Sequence, residues 1–172
     1  MDFFNQTGKL AIGSRLRMLT DKITVDAAAI YKMFGVDLKP KWFPVFFVLS
    51  RGEAKTITSI AKEIGHSHPS VSNIIKEMVA KGLVKETKDK SDGRRNMVML
   101  SAKGKRMSDS FSEQCIDVTA AIEQITQQTR NDLWEAIEEW ENLLLDKSLL
   151  ERVKEAKKER ESKDIKIVPY EP

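Results

Sequence analysis

The chain has one cysteine, Cys115, and two histidines, His66 and His68, among its 172 residues. A single thiol excludes an intrachain disulfide framework and suits a reducing compartment. Two histidines in one local segment, with the cysteine far away, supply no ligand set of zinc spacing, so neither a metal nor a cofactor is expected. No apolar run reaches the ~18 residues that a membrane span needs. The N-terminus lacks a basic region followed by a continuous apolar stretch, so no signal peptide, no membrane partner and a cytoplasmic location are expected. Glu138, Glu139 and Glu141 sit beside Trp140 and Leu143 as on an ordinary solvated helix face. No catalytic constellation is present, and the chain is not expected to be an enzyme.

What is there in quantity is charge. Charged residues make up 32% of the chain and hydrophobic ones 41%, which fits a helical protein with long exposed faces. The net charge of +3 conceals an asymmetry. Residues 53–106 hold 12 Lys and Arg against 6 Asp and Glu, and residues 107–164 hold 8 against 15. A basic head on an acidic body is the footprint of phosphate attraction.

The basic part has a legible layout. Ile57, Ile60, Ala61 and Ile64 fall at i, i+3, i+4 and i+7, which predicts a short helix with Thr58 as its N-cap and Gly65 as its end. Ser67 then caps a second helix, where Pro69 is tolerated in the first turn. Its core stripe is Val71, Ile74, Ile75 and Met78. Ser67, His68, Ser70, Ser72, Asn73 and Lys76 remain for contact with a partner. Small serines do not bulk out such a helix, and Asn and His can bond base edges in a major groove. Gly82 stops it. Leu83–Thr87 and Asn96–Leu100 alternate at period two, as the strands of a hairpin do. The turn between them carries Lys90, Arg94 and Arg95, with Asp92 placed to orient Arg94. Arginine on a projecting hairpin suits a narrow minor groove.

The run Asp89-Lys-Ser-Asp92-Gly-Arg94-Arg95, followed by Leu100-Ser-Ala-Lys-Gly104, resembles the wing and following helix start of the MarR family of winged-helix regulators. The resemblance continues upstream through Ile60–Gly65 and Val71–Ile75 and spans roughly residues 10 to 146. Ser91 stands where the family often has arginine, and Asn73 where its recognition helix commonly has one. The resemblance implies a mainly α fold with a small β-wing, a winged helix-turn-helix flanked by long N- and C-terminal dimerisation helices. It also implies a transcriptional regulator whose partners are double-stranded DNA, a second copy of itself and a small-molecule effector.

Outside the head, the residues point the same way. Leu16, Leu19, Ile23, Ala27, Ile30 and Phe34 are spaced by threes and fours, and Trp42–Leu49 is the most apolar segment. Phe111, Cys115, Val118, Ile122 and Ile125 follow a 4-3-4-3 rhythm. There Cys115 reads as a small buried hydrophobe rather than an oxidation sensor. Thr129-Arg-Asn-Asp132 resembles a capping box with Asp in place of Glu, after which Leu133, Ile137, Trp140 and Leu144 repeat the rhythm. Amphipathic helices without a core of their own are best covered by a second copy, so Leu16, Phe111, Val118, Ile122, Leu133, Ile137, Trp140 and Leu144 are the expected dimerisation residues.

The expected organisation is a winged-helix domain over 1–147, with the reading head at about 53–104 and dimerisation helices at about 8–34 and 102–146. A charged linker helix and a strand-like tail occupy 148–172. Ile165–Pro172 is similar to the first strand of the GNAT acetyltransferase domains that follow MarR-like domains in some fused proteins. That implies a second reading, the DNA-binding or regulatory module of a larger acetyltransferase truncated after Pro172. No acetyl-CoA phosphate loop is present in the sequence.

Overall fold

The structure, a computed structural model, describes residues 2–88 and 96–163. The chain forms two compact bodies. One runs from Gly13 to Val118, and the described part of the other is made by residues 2–12 and 119–163.

A short α1 (Asp2–Thr7) and a single-turn 3-10 segment at Gly8–Ala11 belong to the body of the two ends, and the first body opens with the long helix α2 (Ile12–Met33). A second 3-10 turn, Pro40–Trp42, leads into α3 (Phe43–Ser50), where Pro44 occupies the first helical turn and forfeits no hydrogen bond. Next come β1 (Lys55–Thr56), α4 (Ile57–Glu63), α5 (His68–Ala80), β2 (Val84–Lys88) and β3 (Asn96–Leu100), and then α6 (Ala102–Gln128). The second body also holds the last ten residues of α6, from Thr119, and then α7 (Leu133–Asp146) and α8 (Leu149–Ser162). The fold is thus mainly helical with a small antiparallel sheet, as expected from the sequence.

The helix-turn-helix follows its sequence signals closely. Gly65 (φ +67°) and Gly82 (φ +70°) take the left-handed conformation that ends α4 and α5. Beyond each, an amide returns to the helix, His66 to the Ala61 carbonyl and Leu83 to the Met78 carbonyl. Ser67 caps α5 by accepting from the Ser70 amide at 3.4 Å. The cap of α4 is Thr56 rather than Thr58, with its hydroxyl accepting from the Ser59 amide at 3.1 Å. Ile57 already belongs to the helix, so the cap lies one residue before it. Asp132 is likewise the cap of α7 rather than the acidic residue that closes a box begun by Thr129 three residues earlier. Its carboxylate accepts from the amides of Trp134 and Glu135, and the Thr129 hydroxyl donates to the Thr126 and Asn131 carbonyls.

The sheet has the order β1-β3-β2, both pairs antiparallel, with Val84 opposite Leu100 and Lys88 opposite Asn96. The hairpin matches expectation. The third strand, Lys55–Thr56 against Val98 and Met97, is too short to have a readable period.

One core holds this body together. Trp42, Phe46 and Leu49 meet Ile60 of α4, Val71, Ile75 and Met78 of α5, Leu83 and Val98 of the sheet corner, and Phe111 of α6, all essentially without exposure. Each fully buried side chain of this size contributes roughly 1.5–3 kcal/mol. Phe111 stacks edge-on against Phe46 with centroids 4.8 Å apart. This corrects its reading as a dimerisation residue, because a side chain 1% exposed inside its own subunit has no surface to offer another.

The start of α6 is sewn onto the end of α5. The Ser101 amide donates to the Leu83 carbonyl at 2.9 Å, and its hydroxyl donates to the Gly82 carbonyl at 2.5 Å while accepting from the Gly104 amide at 3.1 Å. A Cβ at position 104 would overlap the Leu83 carbonyl oxygen, so the Ser-x-x-Gly104 pattern records a close backbone approach.

Candidate nucleic-acid interface

Helix α5 is the element that could enter a groove. At 100° per residue, its buried stripe of Val71, Ile74, Ile75 and Met78 leaves Pro69, Asn73, Lys76 and Ala80 pointing outward. Ser67, His68, Ser70, Asn73 and Lys76 are all exposed, and Ser72 is half-buried on one flank. Of the predicted contact residues, Asn73 and Lys76 are therefore neighbours on the outward face, while Ser70 lies towards the flank of Glu77 and His68 and Ser72 towards the opposite one.

The other flank is occupied by an unexpected ion-pair cluster. The Glu77 carboxylate accepts from the Lys41 ammonium at 2.6 Å, the Trp42 indole N–H at 3.0 Å and the Lys39 ammonium at 3.3 Å. These donors pull the carboxyl far below its ordinary value, from 4.5 to about 2, with the Lys41 hydrogen bond the largest cause and Trp42 next. Between this cluster and α5 lies a groove of about 310 Å3, walled by Pro40, Lys41 and Pro44 on one side and His66, Ser70, Asn73, Ile74 and Glu77 on the other. In the sequence Glu77 has the look of any charged residue on a helix surface. Its partners lie 35 to 38 positions away, and no local pattern announces them.

Of the hairpin, the described part presents Lys85, Glu86, Thr87 and Lys88 to solvent from β2. Lys90, Asp92, Arg94 and Arg95 lie outside the described residues. So does Ile165–Pro172. The His66 ring Nδ1–H donates to the Ile64 carbonyl at 2.8 Å, tying that side chain to the turn. Burial pushes the Cys115 thiol above its ordinary value, the opposite of what a reactive thiolate needs.

The remaining residues read as dimerisation positions have a different exposure from Phe111. Val118 is half-buried, while Leu16, Ile122, Leu133, Ile137, Trp140 and Leu144 are exposed in the single chain. No helix among the described residues is long and apolar enough to cross a membrane.

The MarR family model matches residues 36–95, the stretch from just before α3 to the residue before β3. No curated protein sequence matches the chain. Among solved structures it is similar to the transcriptional repressor CouR bound to a 23-mer DNA duplex, at 20% identity and a TM-score of 0.60 over 81% of this chain and 96% of that one. It is similar to overoxidized AbfR bound to DNA, at 17% identity and a TM-score of 0.62 over 85% and 98%. A third likeness is to the PcaV transcriptional regulator from Streptomyces coelicolor in complex with its natural ligand, at 14% identity and a TM-score of 0.57 over 79% and 92%. A helix pair with a two-stranded wing, the Ser101–Gly104 corner and the sequence match agree: the chain has the winged-helix fold of MarR-type regulators, and its residues 36–95 match the MarR family.

Proposed function

We infer that the chain is a sequence-specific, double-stranded-DNA-binding transcriptional regulator of the cytoplasm, a ligand-responsive repressor acting as a homodimer on a pseudo-palindromic operator. The observation that carries this reading is the outward face of α5. It presents Asn73 and Lys76 side by side between Pro69 and Ala80, with the small side chains of Ser70 and Ser72 on its two flanks. Asn73 can pair with an adenine edge in both directions, whereas Lys76 more readily meets a phosphate. The wing residues Lys90, Arg94 and Arg95, with Asp92 orienting Arg94, supply the minor-groove contact in this reading. Two of the similar structures are of proteins bound to DNA, and a third is of a regulator with its ligand. The exposed apolar rows of α6 and α7 support a dimer, since among the described residues of one subunit they remain open to solvent.

Selection of bound duplexes from a random pool tests the reading. The wild type should enrich a consensus of two related half-sites. Asn73→Ala should change that consensus, and Lys76→Ala should lower affinity for every sequence alike. Arg94→Ala should cost at least ~1 kcal/mol in a titration at fixed salt, and Arg106→Ala less. Failure to enrich any duplex, from protein that light scattering shows to be folded and dimeric, overturns the reading. A wild-type monomer with undiminished operator binding removes the dimer from it.

A further inference from the structure

The cluster at Lys39, Lys41, Trp42 and Glu77 has the build of a contact site, and its ion pairs add only modestly to stability. Exposed ion pairs contribute little to folding, and both lysines keep more than half of their side-chain surface in solvent. What the cluster does achieve is position. Trp42 is 1% exposed, so its indole N–H needs an internal partner, and it fixes the Glu77 carboxylate at 3.0 Å. That carboxylate then gathers two ammonium groups, with the Lys39 ammonium 5.0 Å from the centre of the Trp42 ring and Pro40 stiffening the link between the two lysines. Each ammonium has three N–H donors, and Glu77 takes one from each. Two lysines on one carboxylate leave a net positive charge at a fixed place.

The place is specific. The cluster flanks α5 across the groove walled by Lys41, Ser70, Asn73 and Glu77. A major groove is about 12 Å wide, so a helix fills it, and an element standing beside that helix faces the phosphates along the groove's edge. We propose that Lys39 and Lys41, gathered by Glu77, form a phosphate-binding shelf that grips the DNA backbone beside the recognition helix and sets how deeply and in what register α5 sits. This proposal rests on the DNA-binding reading above and adds to it two contact residues and a positioning residue. Phosphate contacts carry no sequence code themselves, but they fix the orientation from which base contacts are read.

The test uses the full chain and a mixed-sequence duplex titrated over a range of salt. The variant Lys39→Gln/Lys41→Gln keeps the first two methylenes of each stem and removes both charges. The slope of log affinity against log salt should become shallower by about two, close to one for each phosphate no longer gripped. Lys39→Arg/Lys41→Arg should restore it. The equally charged control Lys22→Gln/Lys32→Gln, on exposed positions of α2, should leave the slope near wild type. Glu77→Gln should raise affinity for the mixed duplex, because a carboxylate near phosphates is gone. It should also lower the ratio of affinity for a selected duplex to that for the mixed one, which a merely structural role would not move. An unchanged slope in the double Gln variant overturns the shelf while leaving DNA binding intact, and so does an equal change of slope in the α2 control. A wild type that binds no duplex at all overturns the DNA-binding reading, and the shelf falls with it.

Discussion

The head and the terminal helices treat their apolar side chains in opposite ways. In the head, α4 has only seven residues and α5 thirteen, lengths at which isolated helices are marginal in water. They persist because Ile60, Val71, Ile75 and Met78 are completely covered by α3, the sheet and α6. Helices α7 and α8 are fourteen residues each and bury no residue. They are held by local devices instead. Asp132 caps one, and a reciprocal Ser148–Glu151 capping box starts the other. Arg152 donates to the Leu143 and Lys147 carbonyls at the corner between them, and Lys147 pairs with Glu155. Lys157 and Glu161 add an i,i+4 pair at 3.8 Å. The contrast teaches that the head's core is closed within one chain, whereas the ends keep their helices by caps and charges and leave the row Leu133, Trp140 and Leu144 exposed.

The largest effect should come from the head's core. Phe46 is fully buried against Phe111, so Phe46→Ala should lower unfolding free energy by about 3–5 kcal/mol, at any protein concentration. Leu145 is 86% exposed, and Leu145→Ala should stay within about 0.5 kcal/mol. Urea unfolding of both variants decides it, and equal losses would break the contrast. Gly104→Ala comes next. The added Cβ meets a backbone carbonyl, that of Leu83, which has no rotamer through which to move aside. A cost of roughly 1–3 kcal/mol, in the range of overpacked cores, should appear in the same unfolding curves. A neutral result would mean that the corner between α5 and α6 is looser than the rest of the head.

Much of the head is legible in the sequence because its signals are local. Helical period, the glycines at 65 and 82, the Ser67 cap and the alternating strands each lie within a few residues of what they determine. The misreadings also have local causes. At Thr58 and Thr129 a hydroxyl stands near the start of an apolar rhythm, as a cap would, but one helix has already begun at Ile57 and the other begins only after Asp132. The 4-3-4 rhythm through Phe111 describes an apolar stripe without saying what covers it. Phe111 is covered by α3 of its own chain, and Ile122, eleven residues later on the same helix, is exposed. The Lys39–Lys41–Glu77 cluster is invisible in the sequence for a different reason. It is made by the tertiary fold from two segments whose charges, read alone, look like solvated surface.

The smallest expected effect, and the one that separates the two regions most cleanly, is acid titration. Each region has a carboxyl held below its ordinary value of 4.5. Glu77 is brought to about 2, first by the Lys41 hydrogen bond and then by Trp42. Glu151 is lowered first by the Ser148 hydroxyl and then by the Ser148 amide. A group whose folded value is depressed contributes stability that is present above its unfolded value and is lost as pH falls towards the folded one. For Glu77 that window runs from about 4.5 down to about 2. Its partners come from a segment 35 to 38 residues away, so protonation loosens the tertiary fold and should lower the head's cooperative urea midpoint. The partner of Glu151 is three residues away, so protonation there loosens only the first turn of α8. Glu77→Gln should therefore flatten the acid dependence of the urea midpoint across that window. Glu151→Gln should leave the midpoint's acid dependence as it was and reduce only the acid-induced loss of helical circular dichroism. If Glu151→Gln flattens the midpoint instead, α8 unfolds together with the head, and the two regions are not independently stabilised.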